Sequence, residues 1–261
     1  MGNGRPDPHA APAGLHLDLE WRTTVLTLVL LPVMLGLGLW QLQRADEKAA
    51  IAARWEQRKL QAPVSLQQVN IDDTAELEYL PVMLTGQFLA DQYFLLDNRI
   101  YRGRFGYEVL GILQLAETGQ PVLVNRGWIA GDSSRQSLPE VPVVNGSITL
   151  QGHVYVAPGA PYLLADRDLE PGWPKRIQAI EMDKLNPAVE EVAGTALFPY
   201  SVRIDPDQLV ALTVDWQVIN VSPEKHTGYA VQWFAMALAL FIFFILRSSN
   251  LWQMMTGGTR K

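Results

Sequence analysis

Two stretches without a formal charge, Thr23 to Gln43 and Thr227 to Leu246, constrain this chain more than anything else in it. Each runs for about twenty residues, the length a helix needs to cross a membrane. At about 1.5 Å rise per residue such a helix is roughly 30 Å long, the thickness of a bilayer's hydrocarbon core. Lipid offers backbone amides no hydrogen bonds, so a single segment of this kind crosses as a helix. Between the two runs lie about 180 residues rich in Gly, Pro, Asp and Glu, which read as water-soluble. The expected order is a tail (1–22), a membrane helix (23–43), a helical stalk (44–62), a soluble domain (63–225), a second membrane helix (226–246) and a tail (247–261).

Composition narrows the function. The chain has no cysteine, which excludes disulfides, iron–sulfur ligation, thiolate chemistry and covalent haem attachment. A net charge of −6 leaves no basic face to neutralise phosphates, so nucleic acid is not an expected partner. The first 22 residues carry Asp7, Asp18 and Glu20 with only Arg5 and Arg22, which fits neither a signal peptide nor a transit peptide. A bacterial inner membrane is the simplest home, with the lipid bilayer as one partner.

The flanking cations disagree about orientation. Arg247, Arg260 and Lys261 outnumber Lys225 and place the C-terminus in the cytoplasm. Arg44, Lys48, Arg54, Arg58 and Lys59 outnumber Arg22 and argue the reverse for the first helix. Long loops translocate largely regardless of their charge, so the second helix is given the greater weight.

Within the first run, Pro32, Gly36, Trp40 and Gln43 fall on one helical face, a groove for a partner helix or a flat ligand. Trp40 and Arg44 stand where an interfacial aromatic and a snorkelling cation belong. The Ala-rich, mixed-charge stretch Arg44 to Leu60 continues as a helix until Pro63.

Beyond Glu78 the period shortens to two. Tyr79–Thr85, Tyr93–Leu96, Tyr107–Leu115, Val122–Ile129, Ser147–Val156, Arg176–Glu181, Tyr200–Ile204 and Leu209–Ile219 read as strands, and Asp183–Val192 as a helix. Turn signals at Thr118-Gly119, Asn145-Gly146, Pro158-Gly159, Pro171-Gly172 and Asp205-Pro206 separate them. Strands of this length and spacing predict a small antiparallel barrel or a curled sheet with few helices.

Three features offer chemistry. Asp97-Asn98-Arg99 and Asn125-Arg126-Gly127-Trp128 each bring an arginine near a strand end; these either fork onto carboxylates such as haem propionates or pair with acids such as Asp97 and Glu108. His153 sits in an alternating strand as a structural or solvated side chain, and Ser133 and Ser134 lack the glycine elbow of a nucleophile, so catalysis is not expected. The third is His226, at the mouth of the second apolar helix, with Tyr229, Ala230 and Trp233 following at helical spacing. It is either an interfacial histidine or the axial ligand of a haem. The second option needs apolar walls, for which Tyr229, Trp233 and Trp40 stand ready, and cations for the propionates, for which Arg44 and Lys225 do.

Several fragments carry a resemblance. Gly36-Leu37-Gly38-Leu39-Trp40-Gln41-Leu42-Gln43-Arg44, then Tyr107-Glu108-Val109, then Val122 to Ile129 through Asn125-Arg126-Gly127-Trp128 occur in order. They are followed by Asn220, His226, Tyr229-Ala230 and Trp233-Phe234. The set resembles the Surfeit-locus/Shy-type cytochrome c oxidase assembly factors over roughly residues 36 to 245. That resemblance implies an integral membrane chaperone rather than an enzyme, with its domain outside the cytoplasm and both termini inside. It implies assistance to subunit I of a haem-copper terminal oxidase, haem a synthase as a further partner, and transient haem a on His226 as axial iron ligand. The spacing from Asn220 to His226 is longer than the compact Asn-x-His pattern the resemblance leads one to expect. The alternative reading is a membrane-anchored scaffold that binds oxidase subunits without haem; a membrane-anchored hydrolase using His153 is the third.

Overall fold

A computed structural model describes residues 18–157, 159 and 169–250. Most of both tails, with Arg5, Asp7, Arg260 and Lys261, and the expected turn residue Pro158 lie outside the described residues. In chain order the elements are α1 (Trp21–Lys59), β1 (Val64–Ser65), α2 (Thr74–Leu77), β2 (Pro81–Tyr101), β3 (Arg104–Leu115) and β4 (Pro121–Ala130). After them come β5 (Ser147–Tyr155), β6 (Lys175–Ile177), α3 (Met182–Ala193), β7 (Ser201–Ile204) and α4 (Pro223–Ser248). The chain divides into two compact units, Met1–Ala52 with Ile219–Lys261, and Ala53–Val218.

The first unit is a pair of helices, both long and apolar enough to cross a membrane. α1 takes up the apolar run and the expected stalk without a break, 39 residues or roughly 58 Å. Pro32 is tolerated inside it. α4 starts at Pro223, a first-turn position where a missing N–H costs nothing, with Ser222 as N-cap. Buried positions recur at sevens, Gly38 and Ala45 on α1 and Ala230 and Ala237 on α4, the spacing of a coiled-coil seam. The helices run antiparallel: His226 meets Gln41, and the Asp18 N–H bonds the Ser248 carbonyl at 2.8 Å. Small seam residues allow close approach, and a Cβ on Gly38 would stand 2.5 Å from the Phe234 ring.

The second unit is a curled, mainly antiparallel sheet. β2 is the axis of the sheet, and it joins the two expected strands Tyr79–Thr85 and Tyr93–Leu96 into one of 21 residues. One edge pairs with β3 from Gly86 to Tyr101 and with β1 at Val82 and Met83. The other edge pairs with β5 from Pro81 to Gln87 and with β6 from Phe94 to Leu96. Irregularities between Phe88 and Tyr93 and between Leu96 and Arg99, with Asp91 and Asn98 at positive φ, bend the strand between these partners. From β3 the pairing continues through β4 and β7 to β5, which returns to β2. The ring is partial, because β4 and β7 share only two residue pairs, Val124 with Val202 and Asn125 with Arg203. The sheet is therefore curled and not a closed barrel.

Both faces of the central strands are covered, which explains their continuous apolar runs. Leu113, Val122 and Val124 join Leu84, Leu150, Val154, Val202 and Ile204 in the larger core. Ile112 and Leu123 point the other way, toward Leu185 and Val189 one turn apart on α3. α3 ends at Gly194, at φ +76, whose N–H donates to the Glu190 carbonyl. The expected strand Leu209–Ile219 forms no strand. It is a strap along β4 whose β-pairing is a single antiparallel bridge, Trp128 with Thr213.

Candidate functional site

In the helix pair, His226 stands in the first turn of α4, partly buried, with Nδ1 2.8 Å from the Gln41 Oε1 of α1. Gln41 lies on the seam, three residues from Gly38 and four from Ala45. An amide oxygen only accepts, so this contact is a hydrogen bond in the tautomer that carries its proton on Nδ1. Nε2 makes no protein hydrogen bond among the described residues. A neutral imidazole held through one nitrogen, with the other lone pair open, is the form in which histidine ligates a metal.

The remaining sequence-derived site residues separate into two groups. Trp233 is half-buried next to the seam, whereas Trp40 and Tyr229 are each 50% exposed. Arg44 is exposed and pairs with Glu47 one turn along α1. The face Pro32, Gly36, Trp40 and Gln43 is exposed; the helices meet instead along Thr27, Gly38 and Ala45. The physical reason is that Gly38 and Gln41 match small and polar positions on α4, whereas Trp40 is too bulky for a close approach. One consequence concerns the expected slot between the helices, which the Phe234 ring fills where it lies on Gly38. Gln41 itself was signalled in the sequence by being polar within an otherwise apolar run, where such side chains face a partner.

The donor set fits a haem in its chemistry: one open imidazole nitrogen, aromatic side chains nearby, and Arg44 and Lys225 within a few turns as cations for carboxylates.

The β unit holds a second cluster, around Asn125-Arg126-Gly127-Trp128. Asn125 is buried; its amide donates to Glu108 Oε2 at 2.6 Å, and its carbonyl oxygen accepts the Gly127 N–H at 3.1 Å. Arg126, 6% exposed, forms no ion pair with an acid among the described residues. Its Nε donates to the Val210 carbonyl and its Nη1 to the Pro142 carbonyl, both at 3.1 Å, and it lies over the Phe88 ring. Burial pushes its pKa down from the ordinary arginine value. Arg99 takes the acid pairing, 3.5 Å from Glu108. The two arginines thus do not form a common clamp.

Trp128 donates through Nε1 to the Arg99 carbonyl at 3.0 Å and lies beside Tyr101. Thr213 binds Trp128 through both backbone bonds, at 2.7 and 3.1 Å, and Leu212 donates to the Arg126 carbonyl at 2.7 Å. Gly127 makes this approach possible, because at φ +105 a Cβ would stand 2.7 Å from the Thr213 oxygen. A cleft of about 240 Å³ opens beside the strap, with Arg99, Glu108, Trp128, Asp215 and Trp216 among its walls. Arg203 stacks on Tyr155 and Trp216, and burial pushes its pKa down as well. Arg126 bonds the strap through the Val210 carbonyl, and the backbones of Arg126 and Trp128 bond it at Leu212 and Thr213, so the Arg-Gly-Trp segment fastens Leu209–Ile219 to the sheet.

His153 is buried in β5, its Nδ1 2.8 Å from Asp205 and its ring against Trp55. It packs structurally. Ser134 donates to Asp132, whose carboxyl is held down to about 2 by the hydroxyl and amide of Ser134, with smaller help from Gln136 and Ser137.

A family model described as the SURF1 family matches residues 28–238. The chain is similar to a SURF1-like protein of Monosiga brevicollis, 26% identical over 231 residues, which covers 84% of this chain and 85% of that one. It is 23% identical over 244 residues to a SURF1-like protein of the bacterium Rickettsia felis, covering 88% and 98%. It is also similar to the cytochrome oxidase assembly protein SHY1 of Saccharomyces cerevisiae, 34% identical over 95 residues, covering 36% of this chain and 24% of that one.

Proposed function

The chain belongs to the SURF1 family, and from that premise we propose that it is a membrane-anchored, non-catalytic assembly factor for a haem-copper terminal oxidase. It assists maturation of subunit I and holds haem a transiently as cargo, acting next to haem a synthase. It resides in a bacterial inner membrane, crossed by α1 and α4, with the β unit on the periplasmic side and both termini in the cytoplasm. The observation that carries the assembly role is the family match, which reaches into both apolar helices and spans everything between them. That SHY1 is a cytochrome oxidase assembly protein supports the same reading.

For the cargo, support comes from His226 and its single engaged nitrogen. His226 would offer Nε2 to the iron, Arg44 and Lys225 would face the propionates, and Trp40, Tyr229 and Trp233 would supply apolar surface. Bound haem a would become the redox centre of the client oxidase. The work of this chain is to keep it ligated and out of water.

The protein purified from cells that make haem a is expected to be coloured, and His226→Ala to be bleached. Full haem content and an unchanged spectrum in that variant would overturn the ligand assignment. A second reading, a scaffold that binds oxidase subunits without haem, is favoured by the Phe234 ring occupying the seam at Gly38. Under it the protein co-purifies with subunit I and stays colourless.

A further inference from the structure

Polar groups inside an apolar helix pair are costly unless they are partnered, and their partner reveals their use. Gln41 spends its acceptor on the one atom of His226 that decides the ring's tautomer. Left to itself a neutral histidine side chain prefers the proton on Nε2, which removes the lone pair from that nitrogen. An acceptor 2.8 Å from Nδ1 reverses the preference. The two helices that carry the pair are fixed against each other by Gly38, Ala45, Ala230 and Ala237, so the contact is set by the packed seam.

We infer that Gln41 is a positioning residue for His226: by accepting the Nδ1 proton it fixes the tautomer and ring direction that leave Nε2 free to bind a metal centre. The inference rests on the ligand role proposed above for His226, and it assigns to the signature Gln on α1 a task that the helix contact alone does not explain. Gln41 touches no iron itself. It acts through the imidazole, in the way outer-shell partners hold metal-ligating histidines.

The test uses the full-length protein in lipid nanodiscs, labelled with ¹⁵N-histidine, with His226→Gln identifying the resonances. In the haem-free wild type, Nδ1 of His226 is expected to show the shift of a protonated ring nitrogen and Nε2 that of an unprotonated one. Gln41→Leu should invert the pattern, and Gln41→Glu, which keeps the acceptor, should restore it. Haem a retention should fall about 10–100-fold in Gln41→Leu and return in Gln41→Glu, the size typical of losing an outer-shell partner. Should Gln41→Leu disturb the helix pair, Gln41→Met, of similar length, provides the same readout.

An unchanged tautomer pattern in both apolar variants overturns the inference, even if His226→Ala bleaches the protein. Loss of haem in Gln41→Leu that Gln41→Glu fails to restore also overturns it, because a purely structural contact behaves that way. If His226→Ala keeps its haem while the pattern inverts as expected, the ligand role falls and the tautomer assignment stands.

Discussion

Replacing Gly127 by alanine tests how the strap is fastened. The new Cβ would stand 2.7 Å from the Thr213 oxygen, 3.0 Å from its carbonyl carbon and 3.1 Å from Val214 Cγ2. Relief to an ordinary contact moves the strap outward by about 0.7 Å. That displacement takes the Thr213-to-Trp128 bond from 3.1 to about 3.8 Å, past bonding range, and stretches the Trp128-to-Thr213 and Leu212-to-Arg126 bonds from 2.7 to about 3.4 Å, the edge of it. At about 1 kcal/mol net each, losing or weakening the three costs up to about 3 kcal/mol. Holding alanine at φ +105 adds about 1–2 kcal/mol of backbone strain.

Gly146→Ala is the control. Its φ of +79 imposes a similar strain, but a Cβ there meets nothing within 4 Å. The difference between the two variants is therefore the strap itself, up to about 3 kcal/mol. In a protein of this size that is about 6–12 °C in melting temperature. Tryptophan-fluorescence melts of the two full-length variants, run side by side at one scan rate, measure it. Equal melting temperatures would refute the account of Gly127 as the position that admits the strap.

Two further outcomes follow from the same unit. Arg126→Leu leaves the Val210 and Pro142 carbonyls without their donor and should cost about 3–5 kcal/mol, read in the same melts, with no gain from any acid left unpaired. For Asp132 the folded pKa is depressed to about 2 from an ordinary value near 3.8, so its contribution is present above pH about 4 and is lost as pH falls toward about 2. Amide protection, measured as exchange relative to the intrinsic rate at each pH, should fall in the turn from Asp132 to Ser137 across that window, and Asp132→Asn should lower it throughout.

The architecture was legible in the sequence wherever one periodicity acted alone. Charge-free runs gave both long helices, short apolar or alternating runs gave β3, β4, β5 and β7, and Asp183–Val192 gave α3. Sequence reading failed where two elements compete for one edge. Tyr79–Thr85 and Tyr93–Leu96 look like separate strands because Asp91 interrupts the pattern. In the fold, that interruption is the bend at which β2 changes neighbours from β5 to β6. Leu209–Ile219 has strand composition, but it pairs with the sheet through a single bridge, Trp128 with Thr213.

The site divides in the same way. The sequence by itself determined that a histidine opens an apolar helix among aromatics, and that small residues line the other span, because composition and helical spacing are local properties. Only the tertiary structure decided which face of α1 meets α4. The sequence points to the face through Pro32, Gly36 and Trp40, but the choice depends on packing: Gly38 lies under the Phe234 ring, and Ala45, Ala230 and Ala237 are buried. Close packing selects the small-residue face, and with it brings Gln41, not Trp40, to His226.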